Sequence, residues 1–151
     1  MERATSSVVG VGLLVAITVI SAATVGLAVE STPRESPKLA SLELVADAES
    51  DSLTLTHRGG DPIDLTETTV HVEIDGQSLE TDPPIPFFAA AGFESGPSGP
   101  FNTASPDTWR PGETGRVRIA STNDPQLTPG STVTVRIVTD GTELAELTDT
   151  A

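Results

Sequence analysis

The chain has 151 residues and a formal net charge of -14, from 22 acidic and 8 basic side chains. Nucleic-acid binding needs clustered Lys and Arg, so a chain without such a cluster is not expected to bind nucleic acid. The absence of Cys excludes thiolate metal sites and thiol nucleophiles. An acidic excess with Lys38 as the only Lys favours a halophile protein over an ordinary acidic surface domain.

Residues 8–29 form an apolar run without any charge. As a helix this run is about 33 Å long, which matches the roughly 30 Å hydrocarbon core of a bilayer. We therefore expect a hydrophobic helix over residues 5–30 that crosses a membrane once. Three interpretations of the segment remain: a cleaved secretory signal, a plain signal anchor, and a helix retained after removal of a short leader.

The string RATSSVVGVGLLVAITVISAATVGLAV, which begins at Arg3, resembles the N-terminus of archaeal type IV pilins, especially those of halophiles. Arg3 and Ala4 match the charged-small junction of the family, and residues 15–20 (VAITVI) match its apolar run. Thr5 and Ser7 depart from the family pattern. The resemblance implies a leader at residues 1–4, cleavage by a prepilin peptidase after Ala4, and Thr5 as the first mature residue. It also implies partners, namely the membrane and other pilin subunits that contact the helix.

Small residues recur along the predicted helix, and some lie four positions apart. This spacing lets helix backbones approach closely, although small residues are also common in membrane helices in general. We favour helix–helix packing through these positions, with the N-terminus inside and the C-terminal part outside the cell. The candidate packing residues are Gly10, Gly12, Ala16, Ala22 and Gly26.

Residues 31–38 are rich in Pro, Ser and charge and predict an extended linker. From residue 39 onward, apolar and polar residues alternate in short runs separated by turn residues, as in SLTLTH and TVHVEI. This pattern indicates half-buried strands. We predict a mainly β protein whose residues 39–151 form an antiparallel immunoglobulin-like β-sandwich, with a small barrel as the alternative.

Residues 82–112 interrupt this alternation with many Pro and Gly residues and contain every aromatic side chain of the chain. This Pro/Gly-rich loop is more apolar than a solvated loop requires. It therefore either folds back as a lid on the core or forms a subunit contact or adhesive patch. We favour the lid.

Candidate chemical groups are few. His57 and His71 are the only imidazoles, and both are expected at polar strand positions. Gly59 and Gly60 predict a turn, and the many carboxylates predict a solvated acidic face. We therefore expect no catalytic residue, no cofactor-binding residue and no metal ligand. The expected function is that of a type IV pilin-like structural subunit of a cell-surface filament. The alternative is a membrane-anchored extracytoplasmic domain that binds a partner without polymerising.

Overall fold

The computed structural model describes residues 8–16 and 37–151. The chain divides between Pro37 and Lys38 into two units. In the first unit, residues 8–16 are helical (α1). The rest of the predicted hydrophobic helix, the leader at residues 1–4 and most of the linker lie outside the described residues. Within the described residues, no helix is long and apolar enough to cross a membrane.

The second unit is built from antiparallel strands, so the mainly β prediction is confirmed. Short 3-10 turns occur at Leu65–Glu67 and Gly99–Phe101. The strands are β1 (Ala40–Asp47), β2 (Ser52–Gly60), β3 (Ile63–Asp64), β4 (Thr68–Ile74), β5 (Gln77–Ser78), β6 (Thr108–Trp109), β7 (Thr114–Arg118), β8 (Thr132–Thr139) and β9 (Thr142–Thr150). A three-stranded sheet has the order β1-β2-β7, a four-stranded sheet the order β5-β4-β8-β9, and a two-stranded sheet pairs β3 with β6.

The hairpin of β1 and β2 follows directly from the alternation in its sequence. Leu44 pairs with Leu55 in the register, and both side chains are buried. The connecting turn is closed by Asp47, whose carboxylate accepts hydrogen bonds from the Glu49 N–H at 2.9 Å and from the Ser50 hydroxyl at 2.7 Å. An Asp side chain that accepts bonds from the residues after it is a frequent way to stabilise a tight turn.

The four-stranded sheet buries one face of β4 and β8. Val72 lies opposite Val135 in the register, and both side chains are buried. Across the core, Leu53 of β2 and Val117 of β7 line a small apolar void of about 10 Å³ together with these two valines. The inward faces of the two larger sheets therefore meet in one aliphatic core.

The Pro/Gly-rich loop adds the aromatic part of that core. Phe87, Phe93, Phe101 and Trp109 are all buried in the core cluster. Phe101 and Trp109 stack edge to face with ring centroids 5.2 Å apart, a favourable arrangement for aromatic pairs. The lid interpretation is therefore confirmed for these four side chains, whereas Phe88 remains 62% exposed.

Two expectations about β2 are wrong. His57 was predicted at a polar strand position, but its side chain is fully buried. Its Nε2 lies 2.9 Å from the Asp61 carbonyl oxygen, and its ring meets Trp109 edge to face at 5.6 Å. Gly59 and Gly60 were predicted as a turn, but both belong to β2. Gly60 has φ 104°, and a Cβ there would overlap the Leu39 carbonyl oxygen, so the close approach of β1 explains the glycine.

Candidate functional surfaces

The first candidate surface is α1, which carries three of the predicted packing residues. Gly12 and Ala16 lie one helical turn apart and therefore share a face. Gly10 and Gly12 both have open space where a Cβ would stand. The remaining predicted packing residues, Ala22 and Gly26, lie outside the described residues. So do the predicted processing residues Arg3, Ala4 and Thr5.

The helix also exposes large apolar side chains. Val8, Val9, Val11 and Leu13 are each more than half exposed in the described chain. An apolar surface of this kind is stable next to lipid or next to other apolar helices, and costs free energy in water. The helix can therefore supply both close backbone approach and apolar contact area.

The second candidate surface is the outward face of the three-stranded sheet, where acidic and basic side chains lie on different strands. Glu43 and Asp47 project from β1, whereas Arg116 and Arg118 project from β7. The register places Arg116 opposite Thr54 and Arg118 opposite Ser52, so small hydroxyl side chains of β2 separate the acids from the arginines. One side of this face is thus cationic in a protein that is strongly acidic overall.

A groove of about 370 Å³ opens beside the two arginines. We call it the cationic groove. Backbone hydrogen bonds fix its outer wall, because the Glu94 N–H donates to the Arg118 carbonyl at 2.9 Å and the Ser98 N–H to the Arg116 carbonyl at 3.0 Å. The groove is lined by Ser50, residues 94–98, Arg116 and Arg118.

Arg116 is held in position by a chain of hydrogen bonds. Its Nη2 donates to the Ser50 hydroxyl oxygen at 2.8 Å, and that hydroxyl in turn donates to Asp47. Hydrogen bonds from the Ser50 hydroxyl and the Glu49 N–H hold the pKa of Asp47 below its usual range, and the charge of Arg116 adds to this effect. The buried Arg116 Nε has no hydrogen-bond partner.

Three other cations of the second unit are paired with carboxylates on the surface, whereas Arg110 makes no ion pair among the described residues. Lys38 contacts Asp140 at 2.8 Å, Arg58 contacts Glu43, and Arg136 contacts Glu143 and Glu146 at 3.3 and 3.2 Å. These pairs are exposed, so each contributes little to stability. They nevertheless leave the cationic groove as a place where positive charge is not matched by a direct ion pair among the described residues.

The imidazoles do not converge on a common site. His57 is enclosed in the core, and His71 contacts the Asp82 carboxylate through Nδ1 at 2.8 Å. Within residues 8–16 and 37–151, no group of three His, Asp or Glu side chains is placed to hold a metal ion. The cationic groove was not foreseen from the sequence. Its signal was present, because the alternation in GRVRI places Arg116 and Arg118 on one face of a strand.

Two comparisons with known proteins bear on these surfaces. A protein of Archaeoglobus fulgidus, described only as "Uncharacterized protein", is 38% identical over 74 residues, which are 47% of this chain and 52% of that relative. The chain thus matches about half the length of the relative. Residues 3–41 match the family model "Archaeal Type IV pilin, N-terminal". The N-terminal region of this chain is therefore similar to that of archaeal type IV pilins, and the β-rich remainder is consistent with this similarity.

Proposed function

We propose that the protein is a type IV pilin-like surface protein that serves as a structural subunit of a cell-surface filament. The observation that carries this proposal is the family match over residues 3–41, which includes the charged-small junction and the apolar segment. The proposed role is structural rather than enzymatic. Its assembly partners are other pilin subunits, and filament assembly would give the cell a means of adhesion.

In this proposal the hydrophobic helix over residues 5–30 anchors the chain in the membrane by a single pass before assembly. The exposed valines and leucines of α1 support an apolar environment. The same helix then packs against helices of neighbouring subunits, with Gly12 and Ala16 at the contact. The β unit faces the outside of the cell, where its acidic surface suits a halophile.

We also propose that the two larger sheets form an immunoglobulin-like sandwich. The strand orders β1-β2-β7 and β5-β4-β8-β9 support this, because chain connections cross between the sheets as they do in that architecture. A shared core of Leu53, Val117, Val72 and Val135 supports face-to-face packing. Such a unit suits display on a filament.

The alternative function is a membrane-anchored extracytoplasmic domain that binds a partner without polymerising. The cationic groove favours this alternative, since a structural subunit has no evident need for it. In this case the same helix would serve only as an anchor, and its small residues would not contact other subunits.

The mature N-terminus separates these functions from each other and from ordinary secretion. The chain would be expressed in an archaeal host with a prepilin peptidase, purified from membranes and surface fractions, and analysed by intact-mass and peptide mass spectrometry. The proposal predicts Thr5 as the first residue. A retained Met1 would support the plain anchor, and a start near residue 29 would support a secreted protein; either result contradicts pilin-type processing. A host lacking the peptidase is the control.

The packing role of the helix can be tested separately from processing. Gly12→Leu and Ala16→Leu add bulk where close helix approach is proposed, so each should reduce filament yield severalfold without reducing the amount of processed chain in the membrane. Leu14→Met, on the opposite face with nearly conserved volume, is the matched control and should leave the yield unchanged. Equal yields for all three variants would contradict packing through Gly12 and Ala16.

A further inference from the structure

The cationic groove combines positive charge, free hydroxyls and concavity in one place. Arg116 and Arg118 form one wall, and among the described residues neither makes an ion pair within 4 Å. Its volume of about 370 Å³ falls in the range of roughly 300–1,000 Å³ that is usual for small-ligand sites. A flat sheet surface has no such concavity, so the groove is a distinct feature of this unit.

The guanidinium of Arg116 is held in place, but not all of its hydrogen-bond donors are used. The Ser50 hydroxyl accepts from its Nη2, donates to Asp47, and lies 2.9 Å from the Ser52 hydroxyl. Ser50 is therefore fully used in fixing the guanidinium. Nε is buried and has no partner, so it is not open to a ligand in the groove, whereas Nη1 makes no hydrogen bond among the described residues. A guanidinium that is held in place with donors to spare is well suited to bind a carboxylate, because little side-chain entropy is lost on binding.

The opposite wall supplies neutral polar groups. In the described part of the chain, the hydroxyls of Ser95 and Ser98 make no hydrogen bond with the protein. Both residues are exposed, and the backbone hydrogen bonds to β7 hold the Ser98 position. These hydroxyls can donate to or accept from hydroxyl groups of a ligand.

We propose that the cationic groove binds a small, singly charged carboxylate that also carries several hydroxyl groups, that is, a sugar acid. The carboxylate lies against Arg116 and Arg118, and the ligand hydroxyls lie against Ser95 and Ser98. This binding goes beyond the structural role of the protein and does not depend on filament assembly.

Charge limits the ligand to a small acid. The chain carries a net charge of -14, so a polyanion is repelled at long range and only the local arginines favour an anion. Glu94 lines the groove and Asp47 lies near Arg116, so part of the positive charge is already offset. An acidic face of a second copy of the chain would bring many carboxylates at once and would fill a concave groove poorly. A compact ligand with a single carboxylate is repelled less than a polyanion and is small enough to enter the groove.

The test uses the full-length, ¹⁵N-labelled chain in detergent micelles. D-glucuronate is titrated at constant ionic strength, and amide shifts of residues 94–98 and of Arg116 and Arg118 are followed by NMR. Acetate and D-glucose are the reference ligands. We expect saturable shifts in these amides for glucuronate, weaker binding of acetate, and no binding of glucose. Equal affinity for acetate and glucuronate would contradict the role of the serine hydroxyls, and absence of saturable shifts would overturn the proposal.

Variants locate the binding in the groove. Because a hydrogen bond to a charged group contributes about 1.5–3 kcal/mol, Arg118→Gln should weaken glucuronate binding at least about tenfold. Glu94→Gln, which removes a competing carboxylate, should strengthen it by up to about fivefold. Arg110→Gln changes an exposed arginine outside the groove and should have no effect. Arg118 is exposed, so its variant keeps the fold, and the amide spectrum checks this.

Self-association is followed in the same samples by analytical ultracentrifugation. If Arg118→Gln changes the sedimentation of the chain but not the glucuronate shifts, the groove is a contact between copies and the proposal is wrong. If Arg110→Gln weakens binding as much as Arg118→Gln, the ligand responds to general surface charge, and the proposal is equally wrong.

Discussion

His57 shows how a single polar residue can be part of an aliphatic and aromatic core. Its ring packs against Trp109, and its Nε2 lies 2.9 Å from the Asp61 carbonyl oxygen, where a protonated Nε2 donates a hydrogen bond. The backbone around it is also fixed, since the His57 N–H donates to the Glu113 carbonyl and the Gly112 N–H donates to the His57 carbonyl. His57 therefore links β2 to the turn before β7 as well as filling space.

Replacement of His57 should destabilise the β unit strongly. His57→Ala leaves a cavity beside Trp109 and removes the bond to Asp61, so we expect a loss of roughly 2–4 kcal/mol in the free energy of unfolding. His71→Ala is the matched control, because His71 is exposed and its contact with Asp82 is a surface pair, which contributes at most about 1 kcal/mol. Urea denaturation of the full-length chain in detergent measures both; similar losses would contradict the structural role of His57.

The ionisation of Asp64 makes the stability of the β unit depend on pH. Hydrogen bonds from the Thr66 hydroxyl and the Thr66 N–H hold the pKa of Asp64 below its usual range. The ionised form is thus favoured by folding. Its stabilising effect is complete above the pKa of the unfolded chain, about 3.9, and is lost as the pH falls through the lower pKa of the folded chain.

The pH dependence can be measured with Asp64→Asn, which keeps an acceptor oxygen and removes the titration. The wild type should be the more stable protein near pH 7, and the difference should shrink progressively below about pH 4. Glu80→Gln is the control, because the Glu80 carboxylate accepts no hydrogen bond within the described residues. A constant difference between wild type and Asp64→Asn from pH 7 to pH 2 would contradict this account of Asp64.

Among the secondary-structure elements, the packing of the Pro/Gly-rich loop on β7 depends on one close contact. A Cβ on Gly115 would overlap the ring of Phe101, which lies in the 3-10 turn Gly99–Phe101 and packs on Trp109. Gly115 therefore allows the loop to lie directly on the strand, and the loop in turn completes the core.

Gly115→Ala should displace Phe101 and cost about 1–3 kcal/mol in the free energy of unfolding, as expected for overpacking. Gly59→Ala is a close control: Gly59 is also a strand glycine, but a Cβ there meets no atom within 4 Å. We expect its effect to lie within about 0.5 kcal/mol. Thermal unfolding followed by Trp109 fluorescence compares the two. A larger loss for Gly59→Ala than for Gly115→Ala would contradict the packing described here.

The difference between these glycines also shows what sequence patterns can and cannot predict. Alternation predicted the strands around Leu53, Val72 and Val135, because burial of one sheet face requires a period of two. The Pro/Gly-rich loop has no period, so nothing local indicated which face of β7 Phe101 would cover. For His57, alternation with Leu53 and Leu55 indicates the inward face, whereas the polarity of the imidazole indicates the outward face, so the two signals conflict at this residue. The cationic groove depends on contacts between residues 50, 94–98 and 116–118, which are distant in sequence.

The whole molecule consists of two units, to which we assign different tasks. The N-terminal region matches archaeal type IV pilins over residues 3–41 and is proposed to enter the membrane and then the filament core. The β unit, residues Lys38–Ala151, carries its own core and is proposed to be displayed outside. Filament assembly is therefore the part of the proposed function that involves both units.

The most direct test of that claim is whether the chain is found in filaments. Surface filaments are sheared from cells that express an epitope-tagged chain, purified on a density gradient, and examined by immunogold electron microscopy and peptide mass spectrometry. We expect gold label along the filaments and peptides from residues 38–151 in the filament fraction. If the chain is found only in the membrane fraction, as monomers with the leader at residues 1–4 retained, the proposed filament function is wrong.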